Sequence, residues 1–475
     1  MVSATASASR RAFRTAAPAA SRAPSASRAA AGTSTRSSAR SATRTAARTG
    51  LRGSSRSSTR DFVAKSALAQ SWPGQWNSAT TSYYLLVGTV TLLLIFGLVM
   101  VLSSSAVQSI ANGNSPYAQF LNQAQFALMG LPVLLIASRL SLRTYKRLAW
   151  PALILALALQ ALTFFPAFAL SQGGNTGWIR IPGINLVMQP AEVGKLALAI
   201  WLGMVLGSRQ HMLGRWSRVI FPAVPGAVAV IGFVLVGHDL GTALVIGLLA
   251  LGAFWVAGAS GKLLGLGAGF AMIIVGYLFI HSQANSNRLN RILATYGSGC
   301  DVAADCYQFQ HGQFALGSGG VFGVGLGASR EKWGLLPEAH NDFIYAIIGE
   351  ELGLFGTLMV LGLFVALGVG MTRVIRRHKD PFVQVTTAAV ACWVVGQAFI
   401  NIGVVIGVFP VIGLPLPLVS AGGSALITTM AALGMVISFA RTEPGAEFAL
   451  AARRSAVRQS VAVLGGRKRG KGSRR

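Results

Sequence analysis

Charged residues are scarce in this chain. They make up 11% of its 475 residues, whereas a soluble domain carries about 25%. Hydrophobic residues account for 53% of the sequence, and apolar runs of about 18 residues or more, long enough to cross a bilayer core, recur along it. This composition excludes an ordinary soluble domain and favours a chain embedded in lipid.

The motifs of soluble nucleotide-using proteins are also missing. The sequence contains neither a P-loop nor a dinucleotide-binding fingerprint. No hydrophilic segment with an ordered composition is long enough to form a nucleotide-binding domain. Any chemistry must therefore use substrates that lie in the membrane or outside it.

Acidic residues are few, and the basic excess is unevenly distributed. The chain has 13 Asp and Glu against 41 Lys and Arg, which gives a net charge of +28. Residues 1–60 contain twelve Arg and no acid, and residues 442–475 contain nine Arg or Lys with two acids. Basic ends orient a membrane protein or bind anionic lipid more often than they read DNA. We therefore expect no nucleic-acid partner.

The two ends of the chain are predicted to be basic cytoplasmic tails. Residues 1–80 consist mainly of Ser, Ala, Thr and Arg, a composition that cannot bury enough apolar surface to fold, so this tail is predicted to be disordered. An organellar transit peptide is the alternative for such an Arg-rich, acid-poor start. Residues 442–475 form the second tail.

Residues 81–441 are predicted to form an all-α, polytopic membrane domain of about ten transmembrane helices. The connections alternate between basic and non-basic, as the positive-inside rule requires, except for the large loop 281–342 of mixed charge. An even number of spans places both termini in the cytoplasm and this loop, between helices 7 and 8, outside. The predicted spans are 83–104, 117–138, 148–170, 190–207, 219–236, 240–258, 263–280, 343–371, 383–407 and 424–440.

Charged residues within the predicted spans are candidates for function, because each costs a few kcal/mol in lipid. Glu192 and Lys195 are three residues apart on one helix face, where they either form a structural pair or line a polar cavity. Asp239 opens the sixth span and is either a helix cap or a cavity residue. Glu350 and Glu351 lie two turns into the eighth span, where polar packing is as reasonable as catalysis.

The densest polar cluster precedes the eighth span. Glu338, His340 and Asp342 stand at its outer mouth, after a glycine-rich stretch at 317–333 that forms either a phosphate cradle or a tight turn. A carboxylate directly before an apolar run is partly desolvated, which raises its pKa and suits a general base. A helix N-cap is the alternative for Asp342. Gly422 and Gly423 open the last span after a Pro- and Gly-rich loop, where free N–H groups attract anions.

Five motifs in order resemble the SEDS family, the FtsW/RodA/SpoVE peptidoglycan polymerases, over roughly 83–441. They are QPAEVGK (189–195), HDLGT (238–242), YQ with GSGGVFGVGLG (307–327), LPEAHNDFIYAIIGEELG (336–353) and PVIGLPLPLVSAGGS (410–424). The sequence departs from the family at Asn341, where Thr is usual, and at Ala421, where Tyr is common. Asn401, Gly403 and that Ala are more similar to the actinobacterial division member, FtsW, than to RodA.

The resemblance implies glycosyl transfer on lipid II at the outer leaflet of a bacterial cytoplasmic membrane. A glycan on undecaprenyl pyrophosphate would be the donor, and the 4-hydroxyl of lipid II would attack it with inversion to a β-1,4 bond. Asp342 matches the essential acid of the family and is assigned as general base. The implied cavity or substrate-binding residues are Glu192, Lys195, Asp239, Glu338, His340, Ser420, Gly422 and Gly423.

Further expectations accompany this assignment. Arg180 and Lys332 are candidates for contact with pyrophosphate because of their charge. A divalent cation, Mg²⁺ or Mn²⁺, could assist the leaving pyrophosphate, although the sequence shows no dedicated metal site. Cys300 and Cys306 would face an oxidising compartment and could form a disulfide.

The resemblance also implies partners and a place. The expected partners are a class B penicillin-binding protein with transpeptidase activity and other divisome proteins, and the expected location is the septum. Two alternatives remain at this stage: a lipid II flippase, which would move lipid without making polymer, and a non-catalytic division scaffold, which would tolerate loss of Asp342. The richest polar cluster lies at the outer surface rather than at the bilayer midplane, which favours an enzyme over a transporter.

Overall fold

The computed structural model describes residues 78–172, 175–181, 186–208, 216–269, 273, 295–296 and 307–452. Three predictions concern residues outside these ranges. They are most of the N-terminal tail with the end of the C-terminal tail, the Cys300–Cys306 disulfide, and most of the span predicted at 263–280.

Helices dominate the described residues, as predicted. They are α1 (Thr81–Ala111), α2 (Ala118–Ala137), α3 (Leu142–Ala161), α4 (Pro190–Gly207), α5 (Trp216–Val236), α6 (Leu240–Val256), α7 (Tyr307–Gly319), α8 (Ile344–Arg377), α9 (Pro381–Val405) and α10 (Gly423–Arg441). Within the described residues, 7 helices are long and apolar enough to cross a membrane, and the apolar helices Ala223–Val236 and Leu240–Val256 are shorter. The prediction of a polytopic helical membrane protein is confirmed, and these nine helices correspond to nine of the ten predicted spans.

A small antiparallel sheet follows α3, and the sequence analysis did not predict it. Its strands are β1 (Ala169–Gln172), β2 (Asn175–Ile181) and β3 (Leu186–Met188), in the order β1-β2-β3. Ala169 pairs with Ile179 in one ladder, and Arg180 pairs with Val187 in the other. The strands are too short to give a clear alternating pattern, so this segment resembled a plain loop.

Helix starts follow local sequence signals. Asp380 caps α9 by accepting a hydrogen bond from Phe382 N at 3.0 Å, with Pro381 in the first turn. Ser141 caps α3 in the same way through Thr144 N at 3.3 Å. Both caps satisfy backbone donors that helix geometry leaves without a partner.

The centre of the helical domain is formed by α4, α9 and α10, whose side chains are largely buried, whereas α2 and α3 expose many apolar side chains. Exposed Leu128 and Ile136 on α2 suit a surface that faces lipid. Glycines allow close packing at the centre. A Cβ at Gly97 of α1 would collide with the backbone of Leu418 and Val419, in the segment before α10.

Helix α8 is broken two turns after its start. Gly353 has φ 66° and ψ −160°, outside the helical region. The loop that follows α7 supplies the missing backbone partners: Val324 N donates to Glu350 O at 2.9 Å, and Leu354 N donates to Gly320 O at 3.0 Å. Irregular backbone of this kind is tolerated at membrane depth where protein surrounds it.

Candidate active site

The N-termini of four helices meet around the segment 413–422, which we call the pre-α10 loop. Gln189 N, before α4, donates to Ser424 Oγ in the first turn of α10 at 3.2 Å. The Gln189 side chain donates to Asp239 Oδ2, before α6, at 2.6 Å. The residues before α8 contact the loop directly, since Ser420 Oγ donates to Asn341 O at 2.7 Å. The positive ends of these helix dipoles thus point to one region, which favours an anionic ligand there.

Asp342 lies half-buried directly before α8, next to the pre-α10 loop. A Cβ built on Gly413 would lie 3.4 Å from Asp342 Oδ2, so this glycine sits against the carboxylate. Asn401 Nδ2 donates to the backbone oxygen of Asp342 at 2.8 Å. Phe343 is the N-cap residue of α8, and its side chain makes no capping hydrogen bond. The roles of Asp342 as helix cap and as general base both stay predictions.

Backbone strain occurs on both sides of this carboxylate. Glu338 has φ 54° and Leu418 has φ 65°, values that side chains other than glycine adopt at a cost. Such residues cost about 1–3 kcal/mol each and concentrate at functional sites. One strained residue precedes Asp342 and the other lies in the pre-α10 loop.

Burial disfavours the charged form of His340. Burial lowers the pKa of His340, and the neighbouring carboxylate of Glu338 opposes this shift only in part. The buried Nδ1 atom of His340 has no hydrogen-bond partner among the described residues. Glu338 itself is exposed, and its carboxylate accepts a 3.4 Å hydrogen bond from Asn341 Nδ2.

Glu192 and Lys195 form a buried ion pair in the first turns of α4. The distance from Lys195 Nζ to Glu192 Oε1 is 2.7 Å, and these side chains are 2% and 4% exposed, respectively. Lys195 also donates to Gln397 Oε1 at 3.3 Å and lies 5.0 Å from the Trp393 ring centroid. Thr428 of α10 donates to Glu192 Oε2 at 3.4 Å. The two charges therefore neutralise one another, as one of the two interpretations of this spacing predicted.

A narrow cavity separates this ion pair from the pre-α10 loop. Its wall combines one charged residue with prolines, small residues and backbone, so the two alternative interpretations of Glu192, as pair member and as cavity wall, both apply. Its lining includes Glu192, Gln397, Pro415, Leu416, Ser420 and Gly422. Predicted cavity residues from α4 and from the loop thus share one wall.

Asp239 caps α6. Its two carboxylate oxygens accept hydrogen bonds from Thr242 N at 2.9 Å and Thr242 Oγ1 at 2.8 Å. The bond from Gln189 joins the same carboxylate to the start of α4. The cap interpretation describes this geometry, and a direct contact between Asp239 and substrate stays a prediction.

Lys332 is placed differently from the expectation. Its Nζ lies 2.8 Å from Glu351 Oε1, and the two side chains are 4% and 0% exposed. Ser103 of α1 donates to both oxygens of the same carboxylate, at 2.8 and 2.6 Å. A contact with pyrophosphate would require Lys332 to leave this buried pair. The geometry instead makes it an anchor of the loop after α7.

The neighbouring carboxylate has a matching role. Glu350 Oε1 accepts from Arg330 N at 2.8 Å, and Glu350 Oε2 accepts from Ser329 Oγ at 2.5 Å. The polar-packing alternative therefore describes both acids of α8. Gly319 and Gly323 let the loop approach them, because a Cβ at either position would collide with the backbone of α8. The glycine-rich stretch is thus a tight interface between backbones.

The remaining predicted residues are dispersed. Arg180 on β2 is exposed, and in the described ranges its side chain makes no hydrogen bond that connects it to Asp342. Gly422 N donates to Gln123 Oε1 at 3.1 Å, so this N–H group is already paired. Gly423 lies against the ring of Phe126, where a Cβ would collide. Their predicted contacts with substrate stay predictions.

A preformed metal site is not evident in the part of the chain that the structure describes. No group of three or more His, Cys, Asp or Glu side chains there could hold a metal ion. Glu338 and Asp342 both lie in the turn before α8, and His311 Nδ1 is paired with Glu331 Oε2 at 2.6 Å. These residues do not fit a protein cage for a divalent cation.

Buried amide side chains are residues that the sequence analysis did not consider as members of the site. Gln123, Gln189, Gln397 and Asn401 are each at most 9% exposed. The Gln189 side chain donates to Asp239, and the other three donate to backbone oxygens of the pre-α10 loop. Polar side chains within apolar spans are functional candidates. These polar side chains were visible in the sequence, but only the charged residues within apolar spans were treated as functional candidates.

The fold and the site define a polytopic membrane protein with an acidic residue directly before a broken helix, next to the pre-α10 loop. The family model described as "Cell cycle protein", FtsW/RodA/SpoVE, matches residues 83–444. The chain belongs to this family.

Similar proteins agree with the assignment. The chain is 37% identical over 374 residues to the probable peptidoglycan glycosyltransferase FtsW of Mycobacterium tuberculosis, covering 79% of this chain and 70% of that protein. It is 32% identical to the protein of the same description from Bacillus subtilis, covering 74% and 89%.

Solved structures show the same fold. One, described as "Structural coordination of polymerization and crosslinking by a peptidoglycan synthase complex", matches with a TM-score of 0.61 and 26% identity over 75% of this chain and 96% of that chain. The rod shape determining protein RodA of Thermus thermophilus matches with a TM-score of 0.55 and 26% identity, over 76% of this chain and 97% of the other.

Proposed function

We propose that this chain is a peptidoglycan glycosyltransferase that polymerises lipid II at the outer face of the bacterial cytoplasmic membrane during division. The observation that carries the proposal is the placement of Asp342. Its carboxylate stands where the turn before α8 meets the pre-α10 loop, in a chain whose relatives are named for this activity. A sugar on a lipid anchor would reach this carboxylate from the membrane surface.

In the proposed reaction, Asp342 acts as general base. It accepts the proton of the 4-hydroxyl of the incoming lipid II as that oxygen attacks the anomeric carbon of the donor glycan. The bond from that carbon to the pyrophosphate of the undecaprenyl carrier breaks, and the carrier leaves as pyrophosphate. Inversion at the anomeric carbon forms the β-1,4 bond. A positioned base of this kind contributes typically 10²–10⁴-fold to the rate, as an order of magnitude.

The convergence of helix N-termini supports binding of the anionic part of this substrate. The starts of α4, α6, α8 and α10 are connected by hydrogen bonds through Gln189, Asp239 and the pre-α10 loop. Their partial positive charges would stabilise the pyrophosphate as it departs. A divalent cation, Mg²⁺ or Mn²⁺, would come with the pyrophosphate oxygens, because the described side chains form no cage for it.

Location and partners follow from the same proposal. We propose that both termini are cytoplasmic, which the alternation of basic and non-basic loops supports, and that the chain works at the septum, because it is similar to proteins named FtsW. A structural neighbour comes from a complex whose description couples polymerisation to crosslinking. A class B penicillin-binding protein that crosslinks the new strands is therefore the proposed partner, together with other division proteins.

The test is polymerisation of fluorescent lipid II by the purified chain, alone and with that partner. The chain is expected to make long glycan, and Asp342→Ala is expected to lose at least about 100-fold of the activity. Asp380→Asn is the matched control, because it removes an acid at a half-exposed helix start that contacts Lys146 instead. Movement of labelled lipid II across vesicles without polymer would support a flippase instead. Normal polymer from Asp342→Ala would refute the assignment of the base.

A further inference from the structure

Asn401 is a buried amide on α9 that joins two segments of the proposed site. Its side chain is 2% exposed. Nδ2 donates to the backbone oxygen of Asp342 at 2.8 Å and to the backbone oxygen of Leu414 at 2.7 Å. One side chain thus connects the residue before α8 to the pre-α10 loop, from a helix that belongs to neither segment.

The orientation of this amide is determined by its surroundings. The opposite orientation would put Oδ1 against two carbonyl oxygens, which accept hydrogen bonds but cannot donate them. As placed, Oδ1 is buried and has no hydrogen-bond partner in the described residues. A buried acceptor without a partner costs free energy. The amide is therefore tolerated for its two donated bonds and not because its burial is favourable in itself.

Two further hydrogen bonds fix the turn that carries Asp342. Ala421 N donates to His340 O at 3.0 Å, and Ser420 Oγ donates to Asn341 O at 2.7 Å. Together with the bond from Asn401, three consecutive carbonyls leading into α8 are each held by a donor from another part of the chain. The backbone at Asp342 therefore has little freedom to carry its side chain away from Gly413.

We propose that Asn401 is a positioning residue for Asp342, acting through the backbone of that residue. The inference rests on the proposed function of Asp342 as general base. A base works only within hydrogen-bond reach of the proton it accepts. The two bonds from Asn401 hold the backbone of Asp342 beside the backbone of Leu414 in the pre-α10 loop, and the amide acts without touching the substrate.

Asn401→Leu tests this inference, since leucine has a similar size and no donor. In the lipid II polymerisation assay with the intact chain and its partner, kcat is expected to fall about 10-fold to 100-fold, because a displacement near 1 Å costs a rate factor of this order. KM is expected to stay within about twofold. The acidic limb of the pH profile for kcat/KM is expected to move by about half a pH unit or more, because a displaced carboxylate has different neighbours and a different pKa.

Tyr345→Phe is the matched control. Tyr345 lies one turn after Asp342, is 4% exposed, and donates a single hydrogen bond to Thr357 O at 3.2 Å. Its loss should lower the melting temperature while kcat and the acidic limb stay unchanged. A purely structural role for Asn401 would make the two variants alike. Equal kinetics in the two variants, or a lowered kcat in Asn401→Leu with an unshifted acidic limb, would overturn the inference.

Ser420→Ala provides a second test if Asn401→Leu does not fold. It removes the donor to Asn341 O and the acceptor of Leu416 N within the pre-α10 loop. It should change kcat and the acidic limb in the same direction but by less, because the other two bonds to the turn remain. Unchanged kinetics in Ser420→Ala would then overturn the inference. Failure of the unmodified chain to make polymer would instead refute the proposed function.

Discussion

Replacing Lys332 with Met should destabilise the chain strongly, because it leaves the carboxylate of Glu351 without its cation. That carboxylate is fully buried, and its other partner is the neutral hydroxyl of Ser103. Removing one member of a buried ion pair costs about 3–5 kcal/mol. The loop after α7 is held to α8 by this pair, so we expect it to lose its anchor at the same time.

The measurement is thermal unfolding of the purified chain in detergent, followed by tryptophan fluorescence. The double variant Lys332→Met with Glu351→Gln should recover most of the lost stability, because no charge then remains buried and the amide can still accept from Ser103. Lys146→Met is the matched control. It breaks a pair that is 42% and 27% exposed, and exposed pairs contribute at most about 1 kcal/mol.

Two results would refute this reasoning. Lys332→Met could prove no less stable than Lys146→Met, or the double variant could prove as unstable as the single one. A stable Lys332→Met protein that cannot polymerise lipid II would support the other interpretation, a lysine in contact with pyrophosphate.

Two other outcomes can be checked by unfolding measurements. Gly353→Ala should prevent correct folding, because φ is 66° and a Cβ there would collide with the backbone of Gly323. Gly362 in the same helix has open space around it, so Gly362→Ala should be neutral or stabilising by up to about 1 kcal/mol. Similar melting curves for the two variants would contradict this prediction. Burial lowers the pKa of His340 below 6.5, so its neutral form contributes stability that is present above pH 6.5 and lost as pH falls through the lowered value. From about pH 7.5 to about pH 5.5 the unmodified chain should therefore lose more stability than His340→Gln, and an equal loss in the two would contradict the assignment.

Long apolar segments made the helices predictable. A span needs about 20 apolar residues, and the predicted range 190–207 coincides with α4 (Pro190–Gly207). Segments with a weaker signal were predicted less well. The sheet β1–β3 was not predicted, and its first strand overlaps the end of the span predicted at 148–170, because strands of 3 to 7 residues give too few positions for an alternating pattern.

Partners distant in the chain were the main limit on predicting the site. Asp342 was identified from its position before an apolar run and from a family motif, which are local signals. Lys332 was assigned to pyrophosphate on charge alone, since its pairing with Glu351 depends on how the loop after α7 folds back along α8. Asn401 entered the sequence analysis only as a mark of similarity to one family member. Its contact with Asp342 O crosses 59 residues of chain.

The break in α8 has a consequence for how the protein is made. The carbonyl and amide groups at residues 350–355 that the break leaves without partners in the helix form hydrogen bonds with residues 320–325. Those residues come earlier in the chain. The ribosome therefore delivers the complementary backbone before the break itself emerges. If the order were reversed, peptide groups without hydrogen-bond partners would enter the hydrocarbon during insertion, where each costs several kcal/mol.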